Sequence, residues 1–176
     1  MLLRAAAVRA LGDYRSAIAL LEGLVARDAA DLQARHELGE VLAADGQRRA
    51  ARTQWQAVAD APVPTDGVQL AFRGRSLFAL GGRRQIEAAS QALVDSIKAA
   101  PERPEARITL GLVKFAAYAE TSGFPSGEKD LKAVLEQHGD LEPALLAMYR
   151  IRSANSVLDG GKTEQFLDRV LERNDR

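Results

Sequence analysis

The chain has 176 residues, 47% hydrophobic and 27% charged, enough apolar material to bury a core and too much for a disordered chain. Its 24 Lys and Arg balance 24 Asp and Glu, so no net field draws it toward nucleic acid or anionic lipid. It has no cysteine, which excludes disulfides, thiolate metal sites and a cysteine nucleophile, and no apolar run reaches the length of a membrane span.

The opening Met1-Leu2-Leu3-Arg4-Ala5 lacks the charged-then-apolar layout of a signal peptide, and cytoplasm and bacterial periplasm both stay open. In chain order, apolar residues at helical spacing, interrupted by Gly and Pro, predict helices over 2–11, 14–27, 31–44, 47–60, 66–80, 84–99, 104–119, 127–138, 141–158 and 162–173. Ile18, Leu21, Leu24 and Val25 share one face of the second. Trp55 and Val58 do so in the fourth, and Leu131, Val134 and Leu135 in the eighth. In the last, Phe166, Leu167, Val170 and Leu171 form an apolar face with no later helix to cover its outer side. Turns are expected at Gly12, Gly46, Gly81-Gly82 and Asp159-Gly160-Gly161, with Pro62, Pro64, Pro101 and Pro104 at helix breaks. No segment alternates with a period of two, so no sheet is expected.

The first hairpin repeats. Gly12 and Gly46, Ala17 and Ala51, Leu21 and Trp55, and Leu24 and Val58 are each 34 residues apart. A second unit runs Leu38-Gly39, Leu42, Gly46, Ala51, Trp55 and Pro62. A third has Gly74, Leu77, Gly81-Gly82, Ala89, Leu93 and Pro101. Leu110-Gly111 opens a fourth, which Thr121 to Gly127 interrupts, and Glu142-Pro143-Ala144-Leu145 opens a fifth. In period and in these residues the chain resembles the tetratricopeptide repeat (TPR) family.

That resemblance implies an all-α, right-handed superhelical solenoid of about five antiparallel helix pairs. It would form a single repeat domain over 1–176, with units of about 1–29, 30–63, 64–101, 102–140 and 141–176, or a segment of a longer array. Gly39, Gly74 and Gly111 fall inside helices, where glycine costs about 1 kcal/mol against alanine. A neighbouring helix passing close by would explain them, and Ala17, Ala51 and Ala89 would set the same close approach from the facing helix.

Residues with chemical potential are few. His36 and His138 lie in different repeats with no metal-binding or catalytic motif around either. His36 is expected on a helix surface and His138, before Gly139, at a helix C-terminus. Asp159-Gly160-Gly161-Lys162-Thr163 echoes the end of a phosphate loop but lacks the earlier glycine and the preceding strand, so a helix-helix turn is expected. Glu37 and Glu40 read as a solvated helix face. No cofactor or metal site is expected. One charge feature is local: Arg48, Arg49, Arg52, Arg73, Arg75, Arg83 and Arg84 stand against Asp60 and Asp66 between residues 46 and 84. It offers a dock for an acidic partner or for RNA. The scarcity of aromatic residues among these arginines makes nucleic acid the weaker reading.

The resemblance further implies a concave groove lined by the first helix of each pair. By register it would include Arg9, Gln33, His36, Glu40, Arg75, Phe78, Ile108, Leu112, Phe115, Leu146 and Arg150. Its apolar stretch, flanked by Arg75 and Arg150, would suit an extended or helical peptide with hydrophobic anchors and a carboxylate. Ile108 and Leu112, four apart, fit a core face equally well. Some TPR proteins hold chaperone C-terminal carboxylates with a lysine-and-asparagine clamp. Leu2, Ala6 and Glu37 stand at those places here and do not match.

The expected function is a non-catalytic protein–protein interaction scaffold with a protein or peptide partner, and self-association through exposed terminal helices is a further expectation. The alternatives are an accessory repeat region of a larger enzyme or envelope assembly protein, and a helical-repeat nucleic-acid binder.

Overall fold

Local chemistry sets the helix boundaries. Asp13, Asp31 and Asp66 each accept a hydrogen bond from a backbone N–H two or three residues ahead, at 2.9–3.1 Å. These are donors that a helix start otherwise leaves unpaired. Gly12 and Gly46 end the preceding helices at φ 79° and 82°, a backbone that other residues reach only at a cost. The computed structural model describes residues 2–118, 127–154 and 164–174.

Among the described residues the chain is all-α. Its helices are α1 (Leu2–Ala10), α2 (Tyr14–Arg27), α3 (Leu32–Ala44), α4 (Arg48–Asp60), α5 (Gly67–Leu80), α6 (Arg83–Ala99), α7 (Pro104–Tyr118), α8 (Glu128–His138), α9 (Glu142–Ala154) and α10 (Gln165–Asn174). Within the described residues these helices follow the expected ones closely, and the turns at Gly12, Gly46 and Gly81-Gly82 all have positive φ. His138 does end α8, with Gly139 as its cap. The expected turn at Asp159-Gly160-Gly161, the last residues of the 141–158 helix and most of the interruption at 121–127 lie outside the described residues.

The chain packs as two compact units, Met1–Ala92 and Leu93–Arg176, with the boundary inside α6. In the first, α1 packs on α2, α2 on α3, α3 on α4 and α4 on α5, and α3 also meets α5. The first helices of the second and third hairpins are therefore neighbours. Ala17, Leu21, Leu38, Leu42, Ala51 and Trp55 meet in its core. Burying each large side chain contributes about 1.5–3 kcal/mol. Gly39 explains the spacing of α3 and α4: a methyl group there would overlap the Trp55 indole. Leu32, Val58 and Phe72 form a smaller cluster joining α3, α4 and α5.

In the second unit, α7 packs on α8, α8 on α9 and α9 on α10, and α7 also meets α9, the same order of contacts. Its core includes Leu131, Val134, Leu145, Met148 and Ile151. Gly111 lets α7 pass close to the start of α8, within contact distance of Leu131 and Gly127. Lys114 reaches Asp130 at 2.7 Å, and Arg152 on α9 grips Glu128 on α8 through two nitrogens at 3.0 and 3.1 Å.

The expectation of an apolar face on the last helix left without cover is corrected for two of its four residues. Phe166 and Val170 are buried with Met148 and Ile151, because they lie one turn apart on the side of α10 that meets α9. Leu167 is half-buried, and Leu171, one position further round, is exposed.

Candidate partner-binding faces

In the first unit, α1, α3 and α5 bring five of the expected groove residues to one neighbourhood. Arg9 comes from α1, Gln33, His36 and Glu40 from α3, and Arg75 from α5. The residue that ties them together is Glu37. One carboxylate oxygen stands 3.7 Å from Arg9 Nη1 and the other 3.9 Å from Arg75 Nη1. Side-chain exposure is 41% for Arg9, 24% for Glu37 and 33% for Arg75, so the cations lie outermost. The Arg75 guanidinium also lies over the Phe72 ring, 5.3 Å from its centroid.

His36 is not a surface residue, as its sequence context predicts, but is 1% exposed. Its Nδ1 shares a hydrogen bond with the Ser76 hydroxyl at 2.9 Å, and its ring lies 5.6 Å from that of Phe72. Its Nε2 faces Glu40 Oε1 at 3.9 Å, beyond hydrogen-bond reach. Burial holds the imidazole pKa well below 6.5, and Arg75 and Arg9 push it the same way, so the ring is neutral at physiological pH. The error has a clear origin: α5 stacks on α3 over this position, and single-helix periodicity does not contain that contact.

The solvated-face reading of Glu37 and Glu40 is corrected too. Both are half-buried, and burial raises the Glu40 pKa from 4.5, with Glu37 adding to the rise and Arg75 and Arg9 opposing it. Nothing in the sequence announces the Arg9–Glu37–Arg75 cluster, whose members come from three helices and share no motif.

Beside the cluster, α1, α2 and α3 line a half-open hollow of about 180 Å³. Its floor is apolar, from Ala5, Leu21 and Val41, and Arg9, Gln33 and Glu37 carry its polar groups. Leu2 and Ala6 line it as well, so the three positions that fail to match the carboxylate clamp share one hollow. Phe78, further along α5, is half-buried.

In the second unit, Ile108 is a core residue, which excludes it from a partner-facing surface. Leu112 and Phe115 are half-buried and lean on that same core from α7. Leu146 and Arg150 are exposed on α9. Among the described residues, no group of three or more potential metal ligands comes together, and no helix is long and apolar enough to cross a membrane.

No protein-family model matches the chain, and no curated protein does. Two solved structures of MamA are similar to it at 16% identity over 97% of this chain, covering 94% and 88% of theirs, with TM-scores of 0.51 and 0.50. YrrB, described as a TPR protein with an unusual peptide-binding site, is 17% identical over 96% of this chain and 81% of its own, with a TM-score of 0.48. At such identities the likeness to MamA speaks for the fold alone. By repeat spacing, helix order and that likeness, the chain is an all-α helical-repeat solenoid that resembles the TPR proteins.

Proposed function

We propose that this protein is a non-catalytic interaction scaffold, and that the first-helix face of residues 1–92 holds a peptide segment of a protein partner. The observation that carries the reading is the hollow of about 180 Å³ beside the Arg9–Glu37–Arg75 cluster. Pockets for small molecules run to about 300–1,000 Å³. This one suits a single bulky side chain. An apolar anchor seated on Ala5, Leu21 and Val41 would place neighbouring peptide groups against the charged cluster. Arg9 and Arg75 are more exposed than the Glu37 they flank, so a ligand carboxylate meets positive charge first.

The test is selection of binders from a random peptide library on the full chain, followed by affinity measurements on two variants. Ala6→Phe fills the hollow from an exposed helix position, and Arg9→Ala/Arg75→Ala removes the cations. Selected peptides should carry a bulky apolar residue near an acidic one or a free C-terminus, and lose affinity for both variants while circular dichroism stays unchanged. Peptides that bind the wild type and both folded variants equally would place recognition elsewhere.

A further inference from the structure

The arginines between residues 46 and 84 divide into two groups in the fold. Arg73 donates to the Ala61 carbonyl, Arg75 joins Glu37 and the Phe72 ring, and Arg83 pairs with Glu87 at 3.2 Å. Arg52 gives one N–H to the Leu80 carbonyl at 2.9 Å and stays exposed. Arg48 and Arg49 are exposed, and among the described residues no ion pair or hydrogen bond holds their guanidinium groups.

Arg48, Arg49 and Arg52 share one face of α4 with Thr53 and Gln56, away from the buried Ala51, Trp55 and Val58. With Leu80 they line an open depression of about 800 Å³. Asp60 lies at its far end, where the Gln56 amide donates to it at 2.8 Å, so the cationic end is not neutralised from within. The 34-residue shift that aligns the first two hairpins sets Tyr14 against Arg48 and Ile18 against Arg52. In α2 both aromatic and aliphatic side chains lean on the core, whereas in α4 the same register is open and basic. Helix stability does not account for the arginines. No side chain caps α4 at Gln47, and positive charge in a first turn opposes the helix dipole.

We propose that this face of α4 is a second docking surface, for an acidic segment of a protein partner, using residues separate from the first-helix face. The three guanidinium groups match carboxylates in sign and geometry. Thr53 and Gln56 offer hydrogen-bonding groups to an extended backbone, and Leu80 with Ala57 gives one aliphatic residue a place among the acids. Nucleic acid fits less well, because the aromatic residue nearest in sequence, Trp55, is turned into the core and no ring in the depression is available to stack a base.

The experiment is fluorescence anisotropy on the full chain with two labelled probes of equal formal charge, a glutamate-rich peptide containing one leucine and a single-stranded RNA. The peptide should bind saturably at low salt, weaken as salt rises, and lose at least about tenfold in affinity with Arg48→Glu/Arg49→Glu, given two surface charge contacts reversed. The loss caused by Arg48→Glu/Arg49→Glu should be the same in an Arg9→Ala/Arg75→Ala background, which separates this surface from the other. Should the glutamate variant fail to fold, Arg48→Gln/Arg49→Gln is the replacement, with a smaller loss expected. Absence of saturable binding at low salt, equal binding by the folded variants, or tighter binding of RNA than of peptide would overturn the proposal.

Discussion

Replacing Gly39 with alanine sets two effects of known sign against each other. Inside a helix the change should stabilise by about 1 kcal/mol. Here the added methyl would overlap Nε1, Cδ1 and Cε2 of Trp55, three atoms of a rigid ring rather than a flexible tip. Trp55 is 8% exposed and packed among Leu38, Leu42 and Ala51, so it has little room to retreat. Overpacking of this kind costs about 1–3 kcal/mol. With three ring atoms affected, the upper end applies, and the net destabilisation is about 2 kcal/mol. For a chain of this length that lowers Tm by about 4–8 °C. The assay is urea unfolding followed by circular dichroism and by tryptophan emission, and the chain has one tryptophan, so emission reports on the displaced indole itself. Trp55→Leu supplies the second edge of a double-mutant cycle. In that background Gly39→Ala should become neutral or stabilising, giving a coupling of about 2–3 kcal/mol. If alanine stabilises the wild type, or has the same effect in both backgrounds, the glycine is not there to admit Trp55 and the close-approach reasoning fails.

Three further outcomes are expected. His36 titrates near 6.5 when unfolded and well below that when folded, so the unfolded chain takes up the proton first. Stability should decline as pH falls below about 6.5, with a limiting slope of about 1.4 kcal/mol per pH unit. Glu40 acts in the opposite sense, its raised folded pKa adding stability below 4.5 that is lost as pH rises, so it cannot produce this decline. Urea midpoints of His36→Gln should be flatter between about pH 7 and 5.5, and an unaltered slope would clear His36 of the effect. At the uncapped start of α4, Gln47→Asp should stabilise by about 0.5–1 kcal/mol, while Asp31→Ala should cost about 1 kcal/mol by removing an existing cap. Denaturant midpoints that move in neither direction would show that these ends contribute nothing. Gly127 has φ 104°, and a methyl there would strike the Gly111 carbonyl, backbone against backbone. Gly127→Ala should therefore cost more than about 2 kcal/mol. Gly139→Ala, at φ 70° with nothing within 4 Å, should cost only about 1–2 kcal/mol, and equal losses would refute the contact.

What the sequence determined by itself was everything carried by near neighbours along the chain. Apolar spacing located the helices, turn glycines and prolines punctuated them, and matched positions 34 apart identified the repeat, because each signal reflects the period of one helix or one hairpin. Gly39 and Gly111 were legible as close approaches for the same reason: glycine in a helix interior is unfavourable unless something needs the space. Tertiary structure alone decided which polar residues face water. His36 was placed on a surface by its own helix and buried by Phe72 and Ser76 on another, forty residues away for Ser76. Glu37 was read as solvated and became the centre of the Arg9–Arg75 cluster, since electrostatic partners from three helices leave no periodic trace. Likewise, Phe166 and Val170 needed α9 to cover them, and three of the seven clustered arginines, Arg52, Arg73 and Arg75, found partners distant in sequence only once the chain had folded. Periodicity fixes the side of a helix that a residue occupies. Which sides meet depends on the angles and offsets between helices, and those come from packing large groups such as Trp55 against absent ones such as the side chain of Gly39.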